Sequence, residues 1–157
     1  MKITFIAVGK TTDKHVAALT DDYMGRIGHF NPFEFHAVNE LRNTKSLSME
    51  QQKEKEADLI MQQLKSGDHI ILLDEKGREF RSTEFAEWLE DRLHKSCKRL
   101  VFIIGGPYGF DRRIYDMAQE KISLSKMTFS HQMIRVLFTE QLYRAFTIMK
   151  GMPYHHE

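Results

Sequence analysis

The sequence predicts an α/β domain with a mostly parallel sheet flanked by helices, and three observations predict it. Apolar runs of strand length alternate along the chain with segments of helical periodicity, the pattern of βαβ units. Two of those runs, His69–Asp74 (HIILLD) and Arg99–Ile104 (RLVFII), are almost continuously apolar, as strands covered on both faces are. The length of 157 residues supplies one core and starves a second, so residues 1–157 are expected to form a single domain.

The elements follow in order. Lys2–Val8 is β-branched and aromatic and ends at Gly9, a first strand. Val16, Leu19, Tyr23, Ile27 and Phe30 fall at helical spacing between Thr12 and His29, with Thr12 or Asp13 as the cap. Pro32 forces extension into a second strand, Phe33–Val38, and a polar loop follows to Leu47. Ser48 and Gln51 stand at capping-box spacing for a helix reaching Lys65, whose stripe of Met49, Ala57, Ile60 and Leu64 is narrow and implies a well-solvated element. His69–Asp74 is bounded by Gly67 and Gly77 and reads as a central strand. Ser82 is expected to cap a helix with Phe85, Trp88, Leu89 and Leu93 on one face, continued by Cys97 as a core thiol. After Arg99–Ile104 come the loop Gly105–Gly109 (GGPYG), a short helix over Asp111–Gln119, a short strand over Ile122–Leu124 and a final helix over His131–Lys150.

That last helix carries Ile134, Phe138, Leu142, Ala145, Phe146 and Met149 on one stripe and Met133, Val136, Leu137, Tyr143 and Ile148 on other faces. A helix apolar on more than one side must bury more than one side, and in so small a chain a second copy is the natural cover, which predicts a homodimer.

Composition narrows the function. Hydrophobic residues make up 41% of the chain and aromatics 11%, which excludes wholesale disorder. No apolar stretch is long enough for a membrane span, the N-terminus lacks the pattern of a signal peptide, and there is one cysteine, so the expected location is cytoplasmic. The 23 basic and 22 acidic residues nearly cancel, which excludes a protein gripping nucleic acid by bulk attraction. Their distribution is uneven: residues 121–157 are net +3 and the rest net −2, so the C-terminal segment is the part suited to an anion. No histidine has partners at zinc-ligand spacing, so no metal is expected, and no serine has a nucleophile-elbow sequence around it. The glycine loop at 105–109 follows a buried strand and precedes a helix, where open α/β sheets bind ligands, although it lacks the spacing of a dinucleotide or phosphate loop.

The separated segments KITFIAVGK, FIIGGPYG, LSKMTF, QLYRAF and PYHHE occur in one order across the whole chain, and together they resemble the ribosomal large-subunit RNA methyltransferase H family, pseudouridine N3-methyltransferases of the SPOUT superfamily. Ser130 stands where that family commonly has proline, and His156 where it commonly has lysine or arginine. The resemblance implies a C-terminal trefoil knot, S-adenosyl-L-methionine as cofactor, a homodimer, and a large-subunit (23S) ribosomal RNA substrate within the assembled ribosome. It places cofactor contacts at Leu73, Gly105, Leu124, Ser125, Lys126, Met127, Thr128 and Phe129, and substrate-side catalytic residues at Arg144, Tyr154 and His155. Gly105 is expected to be glycine because a Cβ there would meet the ligand. On the residues alone Arg144 has another reading, an ion pair with Glu140 one turn earlier, and His155 another, a frayed terminus. Two rival functions remain from the same features: a nucleotide-dependent oxidoreductase built on the glycine loop, and a non-catalytic ribosome-binding factor with a basic tail.

Overall fold

The computed structural model describes residues 1–95 and 97–156. Side chains alternate across a strand, and in the central strands both alternating sets are buried. In β1 (Lys2–Val8), Ile3, Phe5 and Ala7 join one core cluster while Ile6 and Val8 join a second. In β4 (Arg99–Ile104), Leu100, Phe102 and Ile104 join the first, and Val101 and Ile103 the second. The remaining strands are β2 (Phe33–Val38), β3 (Asp68–Glu79) and β5 (Glu120–Ser123). They form one parallel sheet in the order β2-β1-β4-β3-β5.

Helices cover both faces. On one lie α1 (Lys14–Gly28), α3 (Ser82–Leu93) and α5 (Met133–Met149), with α5 packed between the other two. On the other lie α2 (Met49–Met61) and α4 (Arg112–Met117). The expected class, a mostly parallel sheet flanked by helices, is the observed one. Among the described residues no helix is long and apolar enough to cross a membrane.

Several boundaries differ from expectation, each for a local reason. Asp13 caps α1 by accepting from the His15 and Val16 N–H groups, and Ser48 and Gln51 form the reciprocal capping box of α2. Ser82, expected as a cap, is the first residue of α3; the Arg81 N–H donates to Glu84 instead, and the Ser82 hydroxyl donates to Gln141 of α5. Cys97 lies beyond α3 and is only half-buried, its sulfur 3.4 Å from that of Met1, so it does not extend the helix face. β3 does not stop at Asp74. Leu73 and Arg78 both pair with Ile122 of β5, so residues 74–77 form an excursion between two registers. Gly77 makes that possible, because a Cβ there would stand 2.6 Å from the Ile122 nitrogen.

α5 starts two residues later than expected, with the Ser130 hydroxyl accepting from the Met133 N–H. It ends as read: Gly151 takes φ +66°, its N–H reaches Ile148 O, and the Met152 N–H reaches Thr147 O, the two bonds of a Schellman motif. The second apolar face of α5 is smaller than the sequence suggested. Val136 and Tyr143 are buried within the chain, the latter against Tyr23 and Phe30, and the uncovered apolar part is concentrated at Met133 and Leu137.

Candidate active site

Every strand is parallel, so the loops after β1, β4 and β5 and the excursion of β3 gather at one edge of the sheet. Open α/β sheets bind ligands at that carboxyl edge. A cavity of about 750 Å³ lies there. Its walls are the β3 excursion (Leu73 to Lys76), the stretch Ile104 to Phe110 after β4, and the stretch Ile122 to His131 after β5 with the exception of Lys126. Leu73, Gly105, Leu124, Ser125, Met127, Thr128 and Phe129 all line it. The Lys126 side chain is 86% exposed and lies 4.0 Å from Glu79, outside the wall.

The glycine loop is built as a tight turn. The Gly109 N–H donates to Gly106 O at 3.1 Å, with Pro107 and Tyr108 at its centre and Gly109 at φ +81°. Gly105 lines the cavity, and a Cβ there would also press on the loop's own return, 3.1 Å from Gly109 O and 3.2 Å from the Phe110 ring. A Cβ on Gly106 would stand 2.5 Å from Glu56 Oε2.

The 124–131 loop is held by its own side chains. The Ser123 hydroxyl donates to Ser125 O, the Ser125 hydroxyl accepts from the Met127 N–H, and Thr128 donates to Glu75. Leu124 and Phe129 also face a second, smaller hollow on their other side, lined with Phe80, Phe85 and Leu137. The loop is thus a partition between the large cavity and an apolar groove running onto the uncovered part of α5.

Arg144, Tyr154 and His155 come together at the opposite end of α5. Arg144 donates to Glu140 Oε1 through Nε and Nη2, and its Nη1 lies 3.1 Å from His155 Nδ1. Its guanidinium lies 4.8 Å from the centre of the Tyr154 ring. Tyr154 donates to the same Glu140 oxygen at 3.0 Å, and its hydroxyl lies 3.3 Å from that of Tyr23. The Glu140 pairing that the helical spacing offered for Arg144 therefore exists, as one part of a larger cluster. His155 is half-buried rather than frayed. An arginine only donates, so Nδ1 of His155 is the acceptor of this contact, and its Nε2 is buried. Burial, then the Tyr23 and Glu140 contacts, push the Tyr154 phenol well above its ordinary pKa, so it stays protonated; Glu140 holds the Arg144 guanidinium firmly charged. None of the three residues lines the cavity of its own chain.

Three residues escaped the sequence reading. Arg135 is fully buried and donates to the Val8, Gly9 and His131 carbonyls and to the Thr11 hydroxyl. Its position, three and seven residues before the buried Phe138 and Leu142, was the available signal. Glu56 is buried with Oε1 making no hydrogen bond among the described residues, and burial, with Glu40 nearby, raises its pKa. Asp74 accepts from the Tyr115 hydroxyl at 2.5 Å at the cavity wall. Among the described residues no group of His, Cys, Asp and Glu is placed to hold a metal ion.

An open parallel α/β sheet with a cavity at its carboxyl edge, walled by the loop that precedes the last helix, defines a class, and the model of the family described as "Predicted SPOUT methyltransferase" matches residues 1–155. Proteins named ribosomal RNA large subunit methyltransferase H match the chain from end to end. The one from Phocaeicola vulgatus is 62% identical and the one from Bacteroides fragilis 59%, each over 100% of both chains. The one from Christiangramia forsetii is 51% identical over 99% of both. The chain belongs to the large subunit methyltransferase H family of SPOUT methyltransferases. A solved probable methylase family protein from Haemophilus influenzae shares the fold, with a TM-score of 0.51 at 12% identity, covering 99% of this chain and 70% of that one.

Proposed function

We propose that the chain is an S-adenosyl-L-methionine-dependent enzyme that methylates N3 of a pseudouridine in large-subunit (23S) ribosomal RNA, acting as a homodimer on the assembled ribosome. The observation that carries this reading is the gathering of the predicted cofactor residues, all but Lys126, around one cavity, while the predicted catalytic residues form a second, separate cluster between the end of the final helix and the tail that follows it. The cavity suits the cofactor. Its volume falls within the range of small-molecule sites, Leu73, Ile104, Leu124 and Phe129 offer apolar walls for rings, and Ser125, Thr128 and the loop backbone offer polar contacts.

Bound there, the cofactor supplies an electrophilic methyl group. The chain's task is to position the acceptor and to ease the loss of the imide proton. Arg144, fixed by Glu140 and stacked on Tyr154, presents a permanent positive charge with which to stabilise the imide anion. Arg144 occupies Nδ1 of His155 and the Nε2 atom is buried, so His155 can take the imide proton at Nδ1 only once the Arg144 contact opens. Arg144, Tyr154 and His155 lie away from their own chain's cavity, so the complete site requires two copies, each lending its tail cluster to the other's cavity. The exposed Met133, the half-buried Leu137 and the adjoining hollow are the surface offered for that meeting.

Methyl incorporation into ribosomes from a strain lacking the modification tests the reading, alongside calorimetry with S-adenosylhomocysteine. Micromolar binding and one methyl group per large subunit, located at a pseudouridine N3, are expected. Binding of a nicotinamide nucleotide instead, or transfer to another atom, would overturn it. Mixing Arg144→Ala chains with chains disabled in the cavity by Gly105→Val is expected to restore activity in the mixed dimers, and failure to do so would place both halves of the site in one chain.

A further inference from the structure

Among the described residues Arg135 is the largest fully buried side chain, and none of their carboxylates lies within hydrogen-bond distance of it. A buried guanidinium is costly unless its donors are satisfied. Here they are satisfied by backbone and one hydroxyl: Nη2 donates to Val8 O at 2.9 Å, Nη1 to Gly9 O at 2.9 Å and to Thr11 Oγ1 at 3.1 Å, and Nε to His131 O at 3.0 Å. Two of these acceptors belong to the loop leaving β1, a third is Val8 at the end of β1 itself, and the fourth is the last residue of the cavity-lining loop. A side chain one turn earlier repeats the connection. Gln132 accepts from the Thr12 N–H at 2.9 Å through Oε1 and donates to Lys10 O at 3.1 Å through Nε2. These two residues, three apart, therefore make six hydrogen bonds, five of them to residues 8–12, at least 120 positions earlier in the chain.

An apolar side chain at 135 would pack α5 against β1 without the desolvation of a charge. What a guanidinium adds is direction: its fixed fork locks carbonyls in place. The carbonyls locked here are loop carbonyls at the edge where the cavity lies. The 124–131 loop is otherwise held by short-range bonds, the Thr128–Glu75 contact and the exposed Lys126–Glu79 pair, and Met127 at its crest is 76% exposed.

We propose that Arg135 and Gln132 form a clamp that anchors the exit of the 124–131 loop to the loop after β1, and that they are positioning residues for S-adenosylmethionine binding. The proposal rests on the cofactor reading given above. A loop that is binding-competent only part of the time weakens apparent affinity by the competent fraction. Opening the clamp therefore raises the dissociation constant, and the bound cofactor re-orders the loop.

The test is calorimetry with S-adenosylhomocysteine, together with amide hydrogen exchange on the free and bound dimer. Gln132→Ala, a half-buried change expected to fold, should raise the dissociation constant about 5- to 10-fold. Exchange should quicken in residues 9–12 and 124–131 of the free protein and return to the wild-type pattern once ligand is bound. The KM for S-adenosylmethionine should rise by the same factor while kcat at saturation stays within about twofold. Arg135→Met should weaken binding further, and Arg135→Lys should recover part of the loss, since an ammonium still reaches some of the carbonyls. A Gln132→Ala protein that melts earlier but binds with wild-type affinity, or binds more weakly with no change in loop exchange, would overturn the clamp. A wild-type dimer that takes up no S-adenosylhomocysteine would overturn the cofactor reading along with it.

Discussion

The two edges of the sheet are built on opposite electrostatic plans. At the amino edge, buried charges are matched with carboxylates. Arg99 grips Asp68 through two bonds, at 2.9 and 2.7 Å, and lies 3.6 Å from Glu34, which also holds Lys2. Glu120 accepts from both ends of the Arg92 guanidinium, from the Trp88 indole, and pairs with His69 at 2.7 Å. At the carboxyl edge the matching stops: among the described residues Arg135 is satisfied by carbonyls and a hydroxyl, one oxygen of Glu56 has no hydrogen-bond partner, and a cavity opens between the loops. Paired groups hold a fold together, and groups left under-satisfied concentrate where a ligand acts. One edge stabilises and the other is kept available.

The comparison is sharpened most by removing one partner of the Arg99–Asp68 pair. Asp68→Ala leaves a buried guanidinium facing only Glu34, and stability should fall by about 3 kcal/mol, the lower end for a broken buried pair, in urea unfolding. Affinity for S-adenosylhomocysteine should stay unchanged; a large loss would mean that the two edges are coupled.

The converse change is Arg144→Ala, which should leave cofactor affinity intact and lower methyl transfer by about 10²- to 10³-fold, the effect of removing one group that stabilises developing charge. A matching fall in affinity would put Arg144 at the cofactor instead.

Gly106→Ala should follow in size, costing about 1–3 kcal/mol as an overpacked contact, because its Cβ would press on the Glu56 carboxylate. Glu56→Ala in the same chain should relieve most of that cost in thermal melts, and no relief would show that the loop, not Glu56, sets the limit.

The edges should also answer to pH in opposite senses. Burial pushes the Glu120 carboxyl up, but Arg92, His69 and Trp88 outweigh it and hold it at about 2; Lys2 above all holds Glu34 at about 2. A depressed carboxylate contributes its stability above the unfolded value near 4.5 and loses it as pH falls toward 2. Glu56 is raised by burial, so its contribution is present in acid and is lost as pH climbs through its folded value. Glu120→Gln should flatten the acid limb of the stability profile, and Glu56→Gln the limb on the alkaline side; an unchanged acid limb in Glu120→Gln would remove that carboxylate from the account. The smallest effect is expected at Lys126, where replacement by alanine should change S-adenosylhomocysteine affinity less than twofold, as at an ordinary surface position.

The sequence by itself determined the fold class, the succession of strands and helices and several helix caps, because these follow from local signals. β-Branched, aromatic and continuous apolar runs marked β1 and β4, Ser48 and Gln51 marked the start of α2, and Gly151 the end of α5, whereas α2, expected to reach Lys65, ends at Met61. The resemblance carried by LSKMTF, QLYRAF and PYHHE pointed to the residues around the cavity and the tail, since short motifs retain the local chemistry of a site. Only the tertiary structure decided the rest. Asp74 reaches the cavity because two registers of β3 against β5 throw residues 74–77 outward, and register is a property of two strands, not one. Gly106 is glycine because Glu56, 50 residues away, lies beneath it, and Arg135 is tolerated in the core because the carbonyls of Val8 and Gly9 meet it there. A buried charge is settled by the partners that surround it, and the chain brings those together only when it folds.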